Sequence, residues 1–227
     1  YRFGELQKNQ EIADLLENIA EQGVDYFYKG KVAKQIVDLI NDRGGCFDVS
    51  DMESYEPKFR EPVKTTYRGY EVAAFAPPSG GCALVEMLNI LENYDVRSMG
   101  HNTAASIHAL TESMKLGFAD RSVALGDPDF VNVDVERLTS KKFAHERFTL
   151  AGEKAGEFAS ADGIEAKQYP GNTSHFVVMD KDGNAFSQTQ TIRDWFGCGI
   201  VVDGLGFVLN NAMSDFSAAV GAMTSQG

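Results

Sequence analysis

The sequence predicts an α+β fold in which helices come first and strands follow. Three observations predict it. Apolar residues recur at helical spacing through the first half of the chain. Residues 151–172 are rich in Gly, Ala, Glu and Lys and have no period. From Thr173 onward the runs SHFVVM and AFSQTQTI are β-rich and are joined by DKDGN.

The elements follow in order. Ile12, Leu15, Leu16, Ile19 and Ala20 share one helix face, with Asn9 placed to cap the start and Gly23 to stop it. Val32, Ile36, Leu39 and Ile40 repeat the pattern before Gly44 and Gly45. Ser50-Asp51-Met52-Glu53 has the form of a capping box and predicts a short helix. Pro57 and Pro62 bracket an extended stretch leading to TYRGYEVAAFAPP, a strand ending at Pro77. Gly80-Gly81 opens a helix striped by Leu84, Leu88 and Leu91. A longer helix from about Thr103 to Ala124 carries Ile107, Leu110, Met114 and Phe118, and GDPDF stops it. After the aperiodic connector, GCGIVV and GFVLNN predict further strands between glycine turns.

Composition bounds the function. Hydrophobic residues make up 43% and charged residues 24% of the 227, enough apolar surface for a sizeable core. A formal charge of −12 opposes binding to nucleic acid or an anionic membrane, because the phosphate attraction that dominates such binding becomes repulsion. Cys46, Cys82 and Cys198 are widely separated, and His101, His108, His145 and His175 form no ligand pair, so neither a disulfide framework nor a metal is expected. No cofactor motif stands out. No apolar run approaches the ~18 residues of a membrane span. Tyr1 and Gly227 read as the ends of a piece of a longer protein.

The last hairpin carries the chemistry. If Lys181-Asp182-Gly183 is a three-residue loop, Asp180 faces Asn184 and Thr173 faces Thr191. If the loop is Asp182-Gly183 alone, Thr173 faces Ile192. Directly opposite residues have Cβ atoms about 4.5–5.5 Å apart, close enough for two hydroxyls to interact. A threonine hydroxyl needs a base to act as a nucleophile. Cutting the Asn172–Thr173 bond supplies one, since the freed α-amine has a pKa of about 7.7–8.0. His175, on the same strand face, is an alternative base and reads as structural.

These residues carry a resemblance. IAEQGVDYFYKGKVAKQIV, REPVKTTYRGYEVAAFAPPSGG, LNILENYD, FADRSVALGDPDFV, NTSHFVVMDKDGNAFSQTQT and GFVLNNAMSDFS, in that order, resemble the γ-glutamyltransferase (γ-glutamyl transpeptidase) family of N-terminal-nucleophile hydrolases. The resemblance implies an αββα sandwich, only partly contained in this chain. Residues 1–172 would be the end of a large subunit and 173–227 the start of a small one, together one domain in space. It implies self-cleavage between Asn172 and Thr173, with Thr173 as nucleophile and Thr191 orienting it. It places Asp215 at the substrate ammonium, with Arg193 and Asn211 beside it. Partners implied are a γ-glutamyl amide such as glutathione, water or an amino acid or peptide as acceptor, and the rest of the two subunits. A carboxylate-binding arginine and a Gly-Gly oxyanion site are expected outside residues 1–227. The compartment implied is periplasmic, secreted or cell-surface, with the cytoplasm also open.

Two positions depart from the family pattern. Arg193 stands where Asn is usual, and Ala212 where Glu or Gln is usual. A hydrogen bond to a charged group contributes about 1.5–3 kcal/mol, so its loss at Ala212 lowers affinity roughly tenfold to a hundredfold. Arg193 repels an ammonium and welcomes a carboxylate. Two alternatives follow: an acylase for glutaryl-type amides, as in cephalosporin acylases, and a non-catalytic relative that only binds.

Overall fold

The computed structural model describes residues 2–158 and 172–216. Two compact units divide the chain, residues 1–58 with 168–214 and residues 59–167 with 215–227. No helix among the described residues is long and apolar enough to cross a membrane.

The first unit begins with α1 (Gln10–Gln22). Asn9 Oδ1 accepts from the Ile12 N–H at 3.2 Å, and the helix ends at Gly23, whose φ is 82°. Next come α2 (Asp25–Tyr28), α3 (Gly30–Asp42) and α4 (Val49–Glu53). The cap of α4 lies two residues before the expected one. Asp48, not Ser50, is the cap: its Oδ1 accepts from the Ser50 N–H at 2.9 Å, and the Asp51 carboxylate accepts from the Asp48 N–H at 2.8 Å. A carboxylate at both positions closes the box before Ser50 is reached. Leu15, Val32, Ala33, Ile36, Val37 and Met52 bury their side chains together with Val202 and Leu205 from far along the chain.

The second unit contains β1 (Val63–Tyr67), β2 (Tyr70–Ala74), α5 (Gly81–Leu91), α6 (Val96–Met99), α7 (Ala104–Ala124), α8 (Val135–Leu138) and α9 (Lys141–Phe148). The single strand expected over TYRGYEVAAFAPP is in fact most of a hairpin. Arg68 and Gly69 form a two-residue turn with φ of 51° and 85°, and Tyr67 pairs with Tyr70. Its inner face meets α5, where Val63 packs with Cys82, Ala83 and Val85.

Helices α5 and α7 pack through small residues. A Cβ on Gly117 would come within 2.6 Å of Met87 Cγ, and Ala109, Ser113 and Leu116 are buried beside it. The apolar stripe that marked α7 lies elsewhere. Ile107, Leu110, Met114 and Phe118 are 52%, 48%, 42% and 51% exposed, and Leu84 on α5 is 48% exposed. Periodicity located the stripe, but the face of Ala, Ser and Gly permits the closer helix approach and takes the interior.

Of the connector expected over 151–172, residues 159–171 lie outside the described residues. β3 (Asn172–Met179) and β4 (Ala185–Arg193) then form an antiparallel hairpin in the first unit. GCGIVV and GFVLNN pair with each other, with Val201 bridging Val208 and the Leu209 N–H donating to Ile200 O at 2.9 Å. Asn9 ties this arm to α1, for its Nδ2 donates to Gly206 O at 2.6 Å while its Oδ1 caps the helix.

Candidate active site

The register of the β3–β4 hairpin is set by its loop. Asp180 N–H donates to Asn184 O at 3.0 Å, so the loop is the three-residue one, with Gly183 at φ 85°. Thr173 therefore faces Thr191. Pairing is regular from Met179–Ala185 back to Thr173–Thr191 and then shifts, so that Asn172 pairs with Arg193 and Ile192 is extra. This β-bulge lies opposite the Asn172–Thr173 bond, the bond expected to be cut. Bulges re-aim side chains and bend the strand.

Thr191 is held from its own strand end: the Arg193 N–H donates to Thr191 Oγ1 at 2.8 Å. A hydroxyl can accept one hydrogen bond and donate another, so this contact fixes the direction of the Thr191 side chain. Arg193 carries this N–H in a left-handed conformation, φ 73°. His175 bridges hydroxyls, with Nδ1 2.7 Å from Thr189 Oγ1 and Nε2 3.2 Å from Ser187 Oγ. Both ring nitrogens are engaged within the hairpin, as a structural histidine requires.

Beyond β4 the chain turns sharply, the Gly197 N–H donating to Asp194 O at 2.8 Å. Gly197 is needed here, because a Cβ would lie 2.0 Å from Leu209 O and its φ is 54°. This close approach brings Asn211 to Asp194. Asn211 Nδ2 donates to Asp194 Oδ2 at 2.8 Å, and Asn211 Oδ1 accepts from the Asp194 N–H at 3.1 Å. Arg193 Nη1 donates to the other oxygen, Asp194 Oδ1, at 2.9 Å.

A cleft of about 710 Å³ opens beside these groups, lined by Thr173, Thr191, Ile192, Asp194, Trp195 and Phe196 among others. Thr173, Thr191, Arg193 and Asn211 thus gather at one end of one hairpin. Asp215 ends the 3-10 turn Ala212–Asp215 that follows Asn211 and groups with the other compact unit. Ala212 adds only a methyl group, its N–H donating to Asn210 Oδ1 at 3.0 Å. Among the described residues no group of three or more His, Cys, Asp or Glu could hold a metal ion.

Asp194, Trp195 and Phe196 were not visible as site residues in the sequence. Neighbours in a regular strand point to opposite faces, which would separate Asp194 from Arg193. The left-handed turn at Arg193 removes that alternation.

The γ-glutamyltranspeptidase family profile matches residues 1–226. The chain belongs to the γ-glutamyltranspeptidase family. It is 41% identical over 222 residues to the glutathione hydrolase proenzyme of Escherichia coli (strain K12), covering 95% of this chain and 38% of that protein. It is 39% identical over 211 residues to the acylase ACY 1 proenzyme of Pseudomonas sp. (strain SE83), covering 92% and 38%. Among solved structures it is similar to the cephalosporin acylase from Bacillus halodurans, at 31% identity and a TM-score of 0.85, over 98% of this chain and 40% of that one. The chain spans about two fifths of the length of these relatives. Its fold is part of the N-terminal-nucleophile hydrolase sandwich that γ-glutamyltranspeptidases and these acylases share.

Proposed function

We propose that this γ-glutamyltranspeptidase-family protein cuts its own Asn172–Thr173 bond and then hydrolyses or transfers γ-glutamyl groups, glutathione being the first-choice substrate. The observation that carries this reading is Thr173 facing Thr191 in the last regular pair before a bulge, at the edge of a cleft.

The chemistry follows from the residues. Cleavage divides the chain into residues 1–172 and a part beginning at Thr173. The new α-amine, neutral in part near pH 7, takes the proton from Thr173 Oγ1. The oxygen attacks the γ-carbonyl, and the C–N bond breaks as the proton passes to the departing amine. The acyl-threonine ester then yields to water or to an acceptor amine. Thr191, whose Oγ1 accepts from the Arg193 N–H, is the hydroxyl that orients the attacking oxygen. Asp215 is assigned to the substrate ammonium.

The test is the intact mass of the full-length protein after incubation. Two fragments are expected, the smaller beginning at Thr173. One undivided mass in a folded protein overturns the reading. A second reading, an acylase for groups without the ammonium, is what Arg193 and Ala212 favour on sequence alone.

A further inference from the structure

Arg193 was one of two sequence arguments against a γ-glutamyl substrate, and its surroundings reverse that argument. A γ-glutamyl group carries one carboxylate and one ammonium, with no net charge. A glutaryl group is the same carbon chain without the ammonium and carries one net negative charge. A guanidinium acting alone at the cleft would select the second.

The guanidinium does not act alone. Its Nη1 donates to Asp194 Oδ1 at 2.9 Å, and the pair's side chains are only 18% and 35% exposed. Asn211 engages the other carboxylate oxygen and the Asp194 N–H, which fixes the carboxylate in place. Asp194 lines the cleft together with Thr173 and Thr191.

We propose that Asp194 is a specificity-determining residue: it neutralises Arg193 and presents a carboxylate edge to the cleft, so that the site takes an acyl group bearing an ammonium in preference to one bearing a carboxylate alone. The proposal rests on the acyl-transfer reading above. Two positions jointly set the charge of the cleft, and substrate choice follows their sum.

The experiment compares kcat/KM for γ-glutamyl-p-nitroanilide and glutaryl-p-nitroanilide in the full-length protein, with intact mass and melting recorded for each variant. Asp194→Asn leaves an extra positive charge and is expected to shift the ratio at least ~10-fold toward glutaryl. Arg193→Gln leaves an extra negative charge and shifts it toward γ-glutamyl. The double variant restores neutrality and returns the ratio to near the wild-type value. A structural role in the turn alone would lower both rates together and leave the ratio still. Ratios within about twofold of wild type across cleaved, folded variants overturn the proposal while leaving the acyl-transfer reading standing. If Asp194→Asn does not fold, Arg193→Gln decides by the same criterion. A folded wild type that stays uncut and turns over neither substrate removes the acyl-transfer reading and this proposal with it.

Discussion

The chain contains two antiparallel hairpins that share a motif and differ in almost everything built on it. β1–β2 turns through two residues, keeps an unbroken register from Tyr67–Tyr70 to Val63–Ala74, and lays one face on α5. β3–β4 turns through three, breaks its register at Asn172/Thr173, and exposes its side chains from Thr173 to Met179. Each contains a threonine with an engaged hydroxyl. Thr65 Oγ1 donates to Asn89 Oδ1 at 2.8 Å, and Asn89 is 1% exposed. Thr191 accepts from the N–H that follows the bulge. A regular hairpin spends its hydroxyl on a buried partner, whereas a broken one leaves a hydroxyl at a cleft. The difference separates stability from chemistry within one fold.

Substitutions should divide along the same line. Thr173→Ala removes the proposed nucleophile and the bond-cutting group together. We expect an undivided chain by mass and turnover reduced by about 10⁵-fold or more, measured by p-nitroaniline release. Retained cleavage and turnover would break the comparison outright. Thr191→Val should cost about 10²–10³-fold in kcat, as loss of a single positioned donor does, with the melting temperature nearly unchanged. A large fall in melting with normal turnover would make Thr191 a second Thr65.

The regular hairpin leans on a helix with a buried acid, and pH probes it. Glu86 on α5 is 2% exposed, and its Oε1 has no hydrogen-bond partner among the described residues. Burial, and then the Asp120 carboxyl beside it, push Glu86 up to about 9; Arg147 and Arg137 pull the other way. The folded state therefore holds a proton that the unfolded chain releases near 4.5. This stability is complete below that value and is lost as pH rises toward about 9. Between pH 5 and 8 we expect stability to fall by up to about 4 kcal/mol, read by denaturant titration, and a flatter profile in Glu86→Gln. Identical profiles would remove Glu86 from the account. Thr65→Val comes next, at about 1–2 kcal/mol, because it leaves Asn89 Oδ1 buried without its donor. Turnover per folded molecule should not change.

How much of this was legible in the sequence depends on whether the signal was local. Asn9 and Gly23 bounded α1, and the DKDGN turn narrowed the second hairpin to two registers, of which the three-residue loop, pairing Thr173 with Thr191, is the one formed. Both are settled within a few residues. The β1–β2 turn was missed because Arg68-Gly69 lacks the Asn or Asp that usually marks such a turn, although Gly69 was the available cue. The α7 stripe was found but assigned no partner, since periodicity does not say which face a neighbour prefers. The Arg193–Asp194–Asn211 cluster depends on a left-handed residue and on Leu209 closing over Gly197, and neither is a property of local pattern.

The smallest expected effect tests the loop that sets the second register. In β1–β2 the turn is made by backbone conformation at Arg68 and Gly69, with the Glu92 carboxylate from outside the hairpin accepting from the Arg68 N–H at 2.6 Å. In β3–β4 the assisting side chain belongs to the hairpin itself. Asp180 Oδ1 accepts from the Asp182 and Asn184 N–H groups, both at 2.9 Å, and Oδ2 accepts from Asn184 Nδ2 at 2.8 Å. The Asn184 side chain first, and the Asn184 N–H next, hold the carboxyl below its ordinary 3.8. A lowered acid contributes its stability above the unfolded value and loses it as pH falls through the folded one. The contribution is therefore intact at neutral pH and fades only in acid. The amide protons of Asp182 and Asn184 should titrate together with a midpoint below 3.8, and Asp180→Asn should abolish that step. A midpoint at or above 3.8 would leave Gly183, and not the Asp180 carboxylate, to set the loop.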